Sequence, residues 1–554
     1  MNVFKRQGRM HKIGLMFIAA IILYIIFPAI LSAQVDTAWV RRYNGTGNYD
    51  DYATSIANDS AGNVYITGGS WGMGMNLDYT TIKYLPNGDT AWIRRYDGPG
   101  GGVDEAHALA VDHAGNVYVT GQSDGSGSSA DYATIKYYPS GDTAWIRRYN
   151  GPGNNYDMAF SVAVDNSDYI YVTGGSDGAS SDWDYTTIKY NSNGDTVWVR
   201  RYNGPENFTD IAFDMAVDNS GNIYVTGQSD GVGTDFDYAT VKYLTNGDTA
   251  WVRRYNGPGN GEDVGRHLAI DIAGNVYVTG YSMGSGTNFD YATIKYLPGG
   301  DTAWTRRCDG IGNSYDAASS IAIDSSGNVY VTGQSIGTDS SFDDLTIKYL
   351  PNGDTAWTRR YNGPNNGDDN AAAMALDNSG NVFVTGSSYG PIGDDYTTIK
   401  YYPNGDTAWM LRYNGPGNGN DWAQAIAVDN SGQVFVTGLS WDPGSGIDYL
   451  TIKYSPIYEV DESFSPRSTP ALKFDVSPNP AKNFCTIRFA QPAAHSVIRI
   501  YNAAGQLVNS FALRNTPYSL RWSGTDQAGH AVSQGVYFVQ VDNGSAVGKI
   551  IITK

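Results

Sequence analysis

Two cysteines in 554 residues leave no disulfide framework. Cys308 and Cys485 lie far apart in the chain, and Cys308 stands where a repeated RRY motif otherwise ends in tyrosine. A chain of this kind must be held by its core. Charged residues are also scarce, at 17%, with 37 basic against 56 acidic side chains and a formal charge of −19. A nucleic-acid partner is therefore not expected, since it would need a basic footprint. The acidity suits the solubility of a large β-rich chain. The six histidines show no metal-ligand spacing. No GxSxG, HExxH, P-loop or GxGxxG is set between a strand and a helix, and no helical periodicity stands out. The abundant residues are 67 glycines, 42 tyrosines and 13 tryptophans, an all-β composition.

These residues are arranged in a repeat. DTAW, or DTVW once, places Trp39, Trp92, Trp145, Trp198, Trp251, Trp304, Trp357 and Trp409 at steps of 53 residues, with one step of 52. TIKY, or TVKY once, recurs at Tyr84, Tyr137, Tyr190, Tyr243, Tyr296, Tyr349, Tyr401 and Tyr454. A fixed period of this length marks supersecondary units that bury their faces on one another.

One unit reads as four strands. SIAND, VYIT, TTIKY and TAWIRRY are separated by Gly/Asn/Asp/Pro turns, whose residues tolerate positive φ or preset a bend. We name them A to D. Apolar or aromatic residues fall on both faces, with Val64 and Ile66 on one and Tyr65 on the other, as in a sheet covered on both sides. Four strands in about 40–50 residues, repeated radially, form a propeller blade. The strand-D tryptophan is expected to anchor one blade on the next. The phase predicts closure. A D strand, DTAWVRRY at 36–43, precedes the first A strand, and the last stretch, Ala423 to Tyr454, has A, B and C but no D. The N-terminal strand should complete the last blade, giving an eight-bladed propeller with 3+1 closure over residues 34–456 and no open edge at the seam.

Residues 1–33 are of another kind. Lys5, Arg6, Arg9 and Lys12 precede an apolar run from Ile13 to Leu31, followed by small residues Ser32-Ala33. This is the layout of a secretory signal peptide. The run is also long enough to anchor in a bilayer. Its removal takes away four positive charges and no negative ones, leaving −23.

The AIAVD-NSGN-VYVTG-S core of the unit resembles the SBBP bacterial propeller repeat. The resemblance covers residues 34–456 and implies a fold rather than an activity; eight units depart from the seven blades of the family's name. Residues 457–470 (IYEVDESFSPRSTP) read as a linker. Residues 471–554 carry new short alternating strands, about seven, which predict a small immunoglobulin-like β-sandwich. SPNP (Ser477–Pro480), IYNAAGQLV (Ile500–Val508), WSGTDQAGHAVSQGVYF (Trp522–Phe538) and the terminal KIIITK together resemble a type A sorting domain of the type IX secretion system. That resemblance implies Sec export, passage across the outer membrane, and release or display at the cell surface. The other reading of this segment is an accessory sandwich domain.

Positions alike in every blade do a job done once per blade. Asp51, Asp104, Asp157, Asp210, Asp263, Asp316, Asp369 and Asp421 precede strand A, and Asp78, Asp131, Asp184, Asp237, Asp290, Asp343, Asp395 and Asp448 precede strand C. The functional reading is a carboxylate ring holding a cation such as Ca²⁺. The structural one is that each Asp accepts backbone N–H bonds at its own strand entrance, and this is the expectation here. No other cofactor is expected. The repeated Lys83 and Arg42 positions should pair with acidic groups.

Positions where blades disagree are better site candidates. The A–B and C–D turns are nearly constant, while the D–A and B–C loops vary and define the face for a specific partner. At one register blades one to eight carry Trp71, Asp124, Asp177, Asp230, Met283, Ile336, Tyr389 and Trp441. In a closed ring Tyr389, Trp441 and Trp71 form an aromatic sector beside an acidic one of Asp124, Asp177 and Asp230, suited to sugar faces or a protein hot spot. These side chains folding back on their own loops is the alternative. Trp183, Phe236, Phe289 and Phe342 share one register and read as packing.

PNGDTAW is similar to the repeated turn–Trp element of eight-bladed quinoprotein dehydrogenases, but there is no vicinal cysteine pair and no unique ligand set. The leading expectation is a non-enzymatic, monomeric, exported propeller that binds an extracellular glycan or protein. The alternatives are a polysaccharide hydrolase or lyase, for which no carboxylate pair stands out, and a purely structural surface module.

Overall fold

The computed structural model describes residues 35–456 apart from 75, 181 and 312, and residues 474–553 apart from 483, 490–496, 503–506, 513–518, 528 and 542–545. The expected signal peptide and the linker at 457–470 lie outside the described residues. Among the described residues no helix is long and apolar enough to cross a membrane. The chain divides into two compact units, 1–458 and 459–554.

The larger unit consists of eight four-stranded antiparallel sheets. Blade one runs A (Asp51–Asn58), B (Val64–Trp71), C (Leu77–Tyr84) and D (Thr90–Tyr96). Six further blades repeat this order. In blade eight, A (Asp421–Val428), B (Val434–Asp442) and C (Gly446–Pro456) are joined by the N-terminal strand Val35–Tyr43, which pairs antiparallel with C, Val40 opposite Ile452. The A strands of successive blades touch in a closed cycle that includes blades eight and one, so they form the inner wall of the ring.

The strands are longer than the sequence expectation. A begins at the repeated Asp, and B continues through the TGxS segment, because C begins early enough to pair with it: Trp71 lies opposite Leu77. The register that varies from blade to blade thus sits at the end of a ladder rather than in a loop.

Packing between blades follows one pattern. Trp92 is buried, donates its indole N–H to Pro139 O in the next blade's C–D turn (3.1 Å), and packs on Tyr65 and Tyr137. Arg94 lies over Trp92 and donates to Gly141 O (2.6 Å) in the same turn. Tyr79 reaches the Ala133 carbonyl (3.1 Å). Burying an indole stabilises by about 1.5–3 kcal/mol, and the ring repeats this burial from blade to blade. The turn needs glycine: Gly88 has φ of +86°, and a Cβ there would meet Trp39 at 2.8 Å and Arg41 at 2.7 Å.

The seam shows why one motif breaks the pattern. Blade eight receives its D strand from the N-terminus, so it has no C–D hairpin turn. The position that is arginine in the other seven blades (Arg41, Arg94 and their equivalents) is Leu411 in blade seven, whose neighbour offers no turn carbonyl. At the closing step, Trp39 donates to Pro86 O (3.2 Å) and Arg41 to Gly88 O (2.5 Å), as in the interior of the ring.

The smaller unit has two antiparallel sheets. One contains Phe474–Ser477, Cys485–Phe489 and Ser519–Trp522; the other contains Leu507–Ala512, Val497–Asn502, Gly535–Val541 and Ala546–Ile552. Trp522, Ile487, Ile500, Val539 and Ile550 lie in their shared core. Cys308 and Cys485 are both free thiols, each pushed up to about 11 by burial.

Candidate functional site

The repeated carboxylates are committed within the fold. Each Asp at the start of strand A is buried and accepts the backbone N–H of a glycine six residues earlier, as Asp51 does from Gly45 (2.5 Å) and Asp104 from Gly98 (2.7 Å). Burial raises them, and Asp104, Asp210 and Asp263 are pushed up to about 6. The second repeated Asp, which the structure places inside the start of strand C rather than before it, pairs with the second arginine of RRY, as in Arg95–Asp78 (2.7 Å); Arg42–Asp448 (3.3 Å) makes the same pair across the seam. The Lys83 series differs from expectation. Lys83 lies over Tyr65 and donates to Pro139 O (3.2 Å), because the side chain follows strand C to the next blade's turn and finds a carbonyl there, not a carboxylate.

Two places gather a third acid. Asp78, Asp97 and Asp104 bring their oxygens within 4.8 Å of one another, as do Asp290, Asp309 and Asp316. Arg95 and Arg307 already ion-pair within these groups (2.7 and 2.6 Å), supplying the charge a cation would bring, and no metal is assigned to them. The end of strand B also reads Gly-x-Ser-x-Gly in seven blades, as at Gly68–Gly72. Its serine is buried and accepts from an arginine, Arg95 to Ser70 Oγ at 2.7 Å, which is no environment for a nucleophile.

The six singled-out residues lie at the end of strand B in their blades. Asp230 accepts the Thr209 N–H (3.2 Å) of the loop before its own blade, and a Cβ on Gly102 would collide with the Asp124 carboxylate, while one on Gly153 would lie 2.7 Å from that of Asp177. The three carboxylates thus rest on their own D–A loops. The aromatics do likewise. Trp71 packs on Tyr49 (6.1 Å), Tyr389 covers Gly367, and Trp441 covers Gly417 and Gly419, where a Cβ would come within 2.4 Å and 2.7 Å of its ring. Among the described residues no ring contact joins Tyr389, Trp441 and Trp71 to one another. Trp183 lies over Gly175, Phe289 packs on Tyr281 (5.0 Å) and Tyr315 (5.4 Å), and Phe342 packs on Tyr315 (5.8 Å), so these three of the register do pack.

An apolar recess of about 570 Å³ lies on the variable-loop face where blade seven meets blade eight. Trp422, Leu439, Trp441 and Ile447 of blade eight line it, with Ile392 of blade seven and the glycine-rich loop Gly417–Asn420. Ile392 is 67% exposed, Trp422 38% and Trp441 37%. Trp422 is held by an N–H···O bond to Asp394 (2.7 Å), and Asn420 accepts the Asp394 N–H (3.2 Å). Trp422 also borders a second, polar hollow with Gln334, Asn370 and Gln424 on the inner wall. Trp422 was not singled out from the sequence. Its register carries Tyr52, Glu105, Met158, Ile211, Val264, Ala317 and Asn370 in the other blades, so the rule of comparing disagreeing positions would have found it one strand earlier.

A titratable group also lies on the inner wall. Gln122 donates to Glu105 (3.2 Å), and His107 Nε2 is 3.7 Å from the same carboxylate, with Nδ1 2.8 Å from Ala159 O. Burial alone would push Glu105 up; the His107, Tyr52 and Gln122 contacts outweigh it and hold the carboxyl below its ordinary range. Burial and the Glu105 charge push Tyr52 up.

Comparison with known proteins agrees with the architecture. The family described as Beta-propeller repeat (SBBP) matches residues 38–73, 91–127, 197–237, 250–289, 304–339 and 356–393. The FlgD Ig-like domain matches 481–546. The chain is therefore an all-β protein with SBBP propeller repeats, closed as about eight blades, followed by an immunoglobulin-like domain. A curated relative, an uncharacterized WD repeat-containing protein of Acanthamoeba polyphaga mimivirus, is 22% identical over 74% of this chain. The chain spans 32% of that relative's length. Among solved structures, PorZ, a surface component of the type IX secretion system of Porphyromonas gingivalis, is 15% identical with a TM-score of 0.40, over 93% of this chain and 70% of PorZ. The polysaccharide lyase Uly1 is 11% identical with a TM-score of 0.38, over 65% of this chain and 92% of the lyase. Overlaps this loose carry no argument about the activity of this chain.

Proposed function

We propose that this chain is an exported, non-enzymatic binding protein that takes an extracellular glycan or protein on the variable-loop face of its propeller, centred on the blade-eight recess. One observation carries the reading. In a ring whose blades are otherwise near copies, blade eight alone combines Trp422, Leu439, Trp441 and Ile447 around one open apolar hollow. Two indole faces beside polar Asp394 and Asn420 suit the apolar face and hydroxyls of a sugar ring, or an apolar anchor of a protein partner. Trp71 and Tyr389 extend the same face, and Asp124, Asp177 and Asp230 stand farther round the ring. Export is supported by the N-terminal basic and apolar segments and by the C-terminal motifs at 477–554, which suit delivery through type IX secretion to the cell surface or medium. The ring is read as a monomer without a cofactor.

The test is binding of residues 34–456 to a broad glycan array, with and without Ca²⁺. Selective binding that falls at least tenfold in Trp422→Ala and Trp441→Ala supports a lectin-like role. Silence across the array removes the sugar ligand and leaves the protein ligand to be sought.

A second reading, an enzyme on polysaccharide, draws on Tyr52, Glu105 and His107, which together have the residue types of acid–base chemistry. Product release abolished by Tyr52→Phe and His107→Ala would favour it over binding without turnover.

A further inference from the structure

The arginines of the propeller are spoken for, with one exception. The first arginine of each RRY donates to a turn glycine and stacks on its tryptophan, as Arg253 does with Gly300 O (2.6 Å) and Trp251. The second pairs with an aspartate, as Arg254 does with Asp237 (2.9 Å). Among the described residues the side chain of Arg266, on strand A of blade five, makes no hydrogen bond and no ion pair. It is exposed on the inner wall. Its guanidinium lies over two rings, Phe213 of blade four at 5.0 Å and Tyr281 of its own blade at 5.6 Å.

Both Arg266 and Tyr281 are departures from the repeat. Other blades carry Thr54, His107, Phe160, Phe213, Ser319, Ala372 and Gln424 at the position of Arg266. Where that residue is Thr54 or Ser319, it hydrogen-bonds a carbonyl of the next blade's strand A, Ala106 (2.9 Å) or Ala371 (2.6 Å); Arg266 gives up that role. The position of Tyr281 holds Gly69, Gln122, Gly175, Gln228, Gln334, Ser387 and Leu439 elsewhere. Tyr281 is fixed by its own bond to Glu262 (2.6 Å) and by the rings of Phe289 and Tyr315. The aromatic wall continues backward round the ring, Phe213 to Phe160 at 5.8 Å and Phe160 to His107 at 5.2 Å, stacked. Contact with two rings restrains the guanidinium, and its planar fork of N–H donors has the geometry that meets a carboxylate in two-point fashion. The neighbouring acids do not take it: Glu262 is bonded to Tyr281, and Asp214 accepts the Leu268 N–H (2.9 Å) and faces His267 at 3.6 Å.

We propose that Arg266, with Phe213 and Tyr281, forms a second binding site on the inner wall for an acidic sugar, whose carboxylate meets the guanidinium and whose ring rests along the aromatic wall. In a chain of net charge −19, an uncommitted cation framed by rings is a local feature that a negatively charged ligand can use. The site stands on different residues from the blade-eight recess and does not depend on it.

The experiment is calorimetric titration of the chain from residue 34 onward with a defined oligogalacturonate, with a neutral oligosaccharide of the same length beside it. Saturable binding of the acidic oligomer and none of the neutral one are expected. Arg266→Gln should lose at least tenfold in affinity and Arg266→Lys several-fold, because an ammonium cannot make the two-point contact. Among the described residues the Arg266 guanidinium lies only over these two rings and makes no hydrogen bond or ion pair, so the melting temperature of both variants should stay close to that of the parent, which separates loss of the site from misfolding. Trp422→Ala should leave the affinity unchanged. Equal affinity in parent and Arg266→Gln, equal binding of the neutral oligomer, or no binding of the acidic oligomer would overturn the proposal.

Discussion

Replacing Trp39 by alanine probes ring closure through one side chain. Trp39 belongs to a nine-residue strand at the N-terminal end of the described chain, and its value depends on that strand completing blade eight. If it does, its surroundings match those of an interior anchor. Trp39 is 7% exposed, packs on Tyr84 (5.8 Å) and Phe435 (6.2 Å), and donates to Pro86 O (3.2 Å). Trp198, in mid-ring, is 7% exposed, packs on Tyr243 (6.1 Å) and Tyr171 (6.2 Å), and donates to Thr245 O (3.2 Å). Truncating a buried aromatic to alanine costs about 3–5 kcal/mol. With an unfolding entropy of about 2.1 cal/mol/K per residue over a ring of roughly 420 residues, that loss lowers the melting temperature by about 3–6 °C. Differential scanning calorimetry of Trp39→Ala and Trp198→Ala should therefore give equal shifts within about 1 °C. Trp409→Ala should shift less, because that ring is only partly buried and its neighbour has no C–D turn to receive its N–H. A silent Trp39→Ala beside a damaging Trp198→Ala would refute closure by the N-terminal strand.

The pH dependence of stability has a definite sign. Burial raises Asp104, Asp210 and Asp263 from 3.8 to about 6, with Asp51, Asp157, Asp316, Asp369 and Asp421 shifted in the same direction. A carboxyl with a raised folded value binds more protons when folded, so its contribution is full below the unfolded value and is lost as pH rises through the folded one. Melting temperature should fall between about pH 4 and 7. Below that window the A–B turn series Asp59, Asp218, Asp271 and Asp324 acts the other way: the turn Asn, backbone and tyrosine donors outweigh burial and hold these carboxyls low, and their contribution is lost on acidification. A melting temperature that rises steadily to pH 7 would contradict this. The two turn glycines should separate in chemical denaturation. Gly62→Ala (φ +79°, nearest atom 3.6 Å) meets only backbone strain, about 1 kcal/mol, whereas Gly88→Ala adds the clash with Trp39 and should cost clearly more.

Much of the fold was legible because the chain states it eight times. The phase of DTAW against TIKY placed the seam, and Val35–Tyr43 pairs where that phase requires. The strand-D tryptophans were readable as anchors, since an indole recurring beside a turn has one economical place to go. Strand ends were less legible: the TGxS segment looks like turn sequence, yet it is held in strand B by a partner that begins at Leu77. The site was half legible. The register of Trp71 and Trp441 drew attention to the variable-loop face, but Trp422 and Arg266 sit on strand A, where the eye follows the repeated AxAxD pattern. Contacts across blades, which no single repeat contains, gave these two their surroundings. The Lys83 series misled for the same reason, since its carbonyl partner belongs to the neighbouring blade's turn.

The most direct measurement of the binding role is amide hydrogen exchange of the chain from residue 34 onward, with and without the ligand selected by the glycan array. Protection is expected at the backbone of 389–394 and 415–422, around Trp422 and Ile392, with the ligand recovered intact. Protection confined to the constant A–B and C–D turns, or recovery of the ligand as cleaved product, would contradict a binding face centred on blade eight.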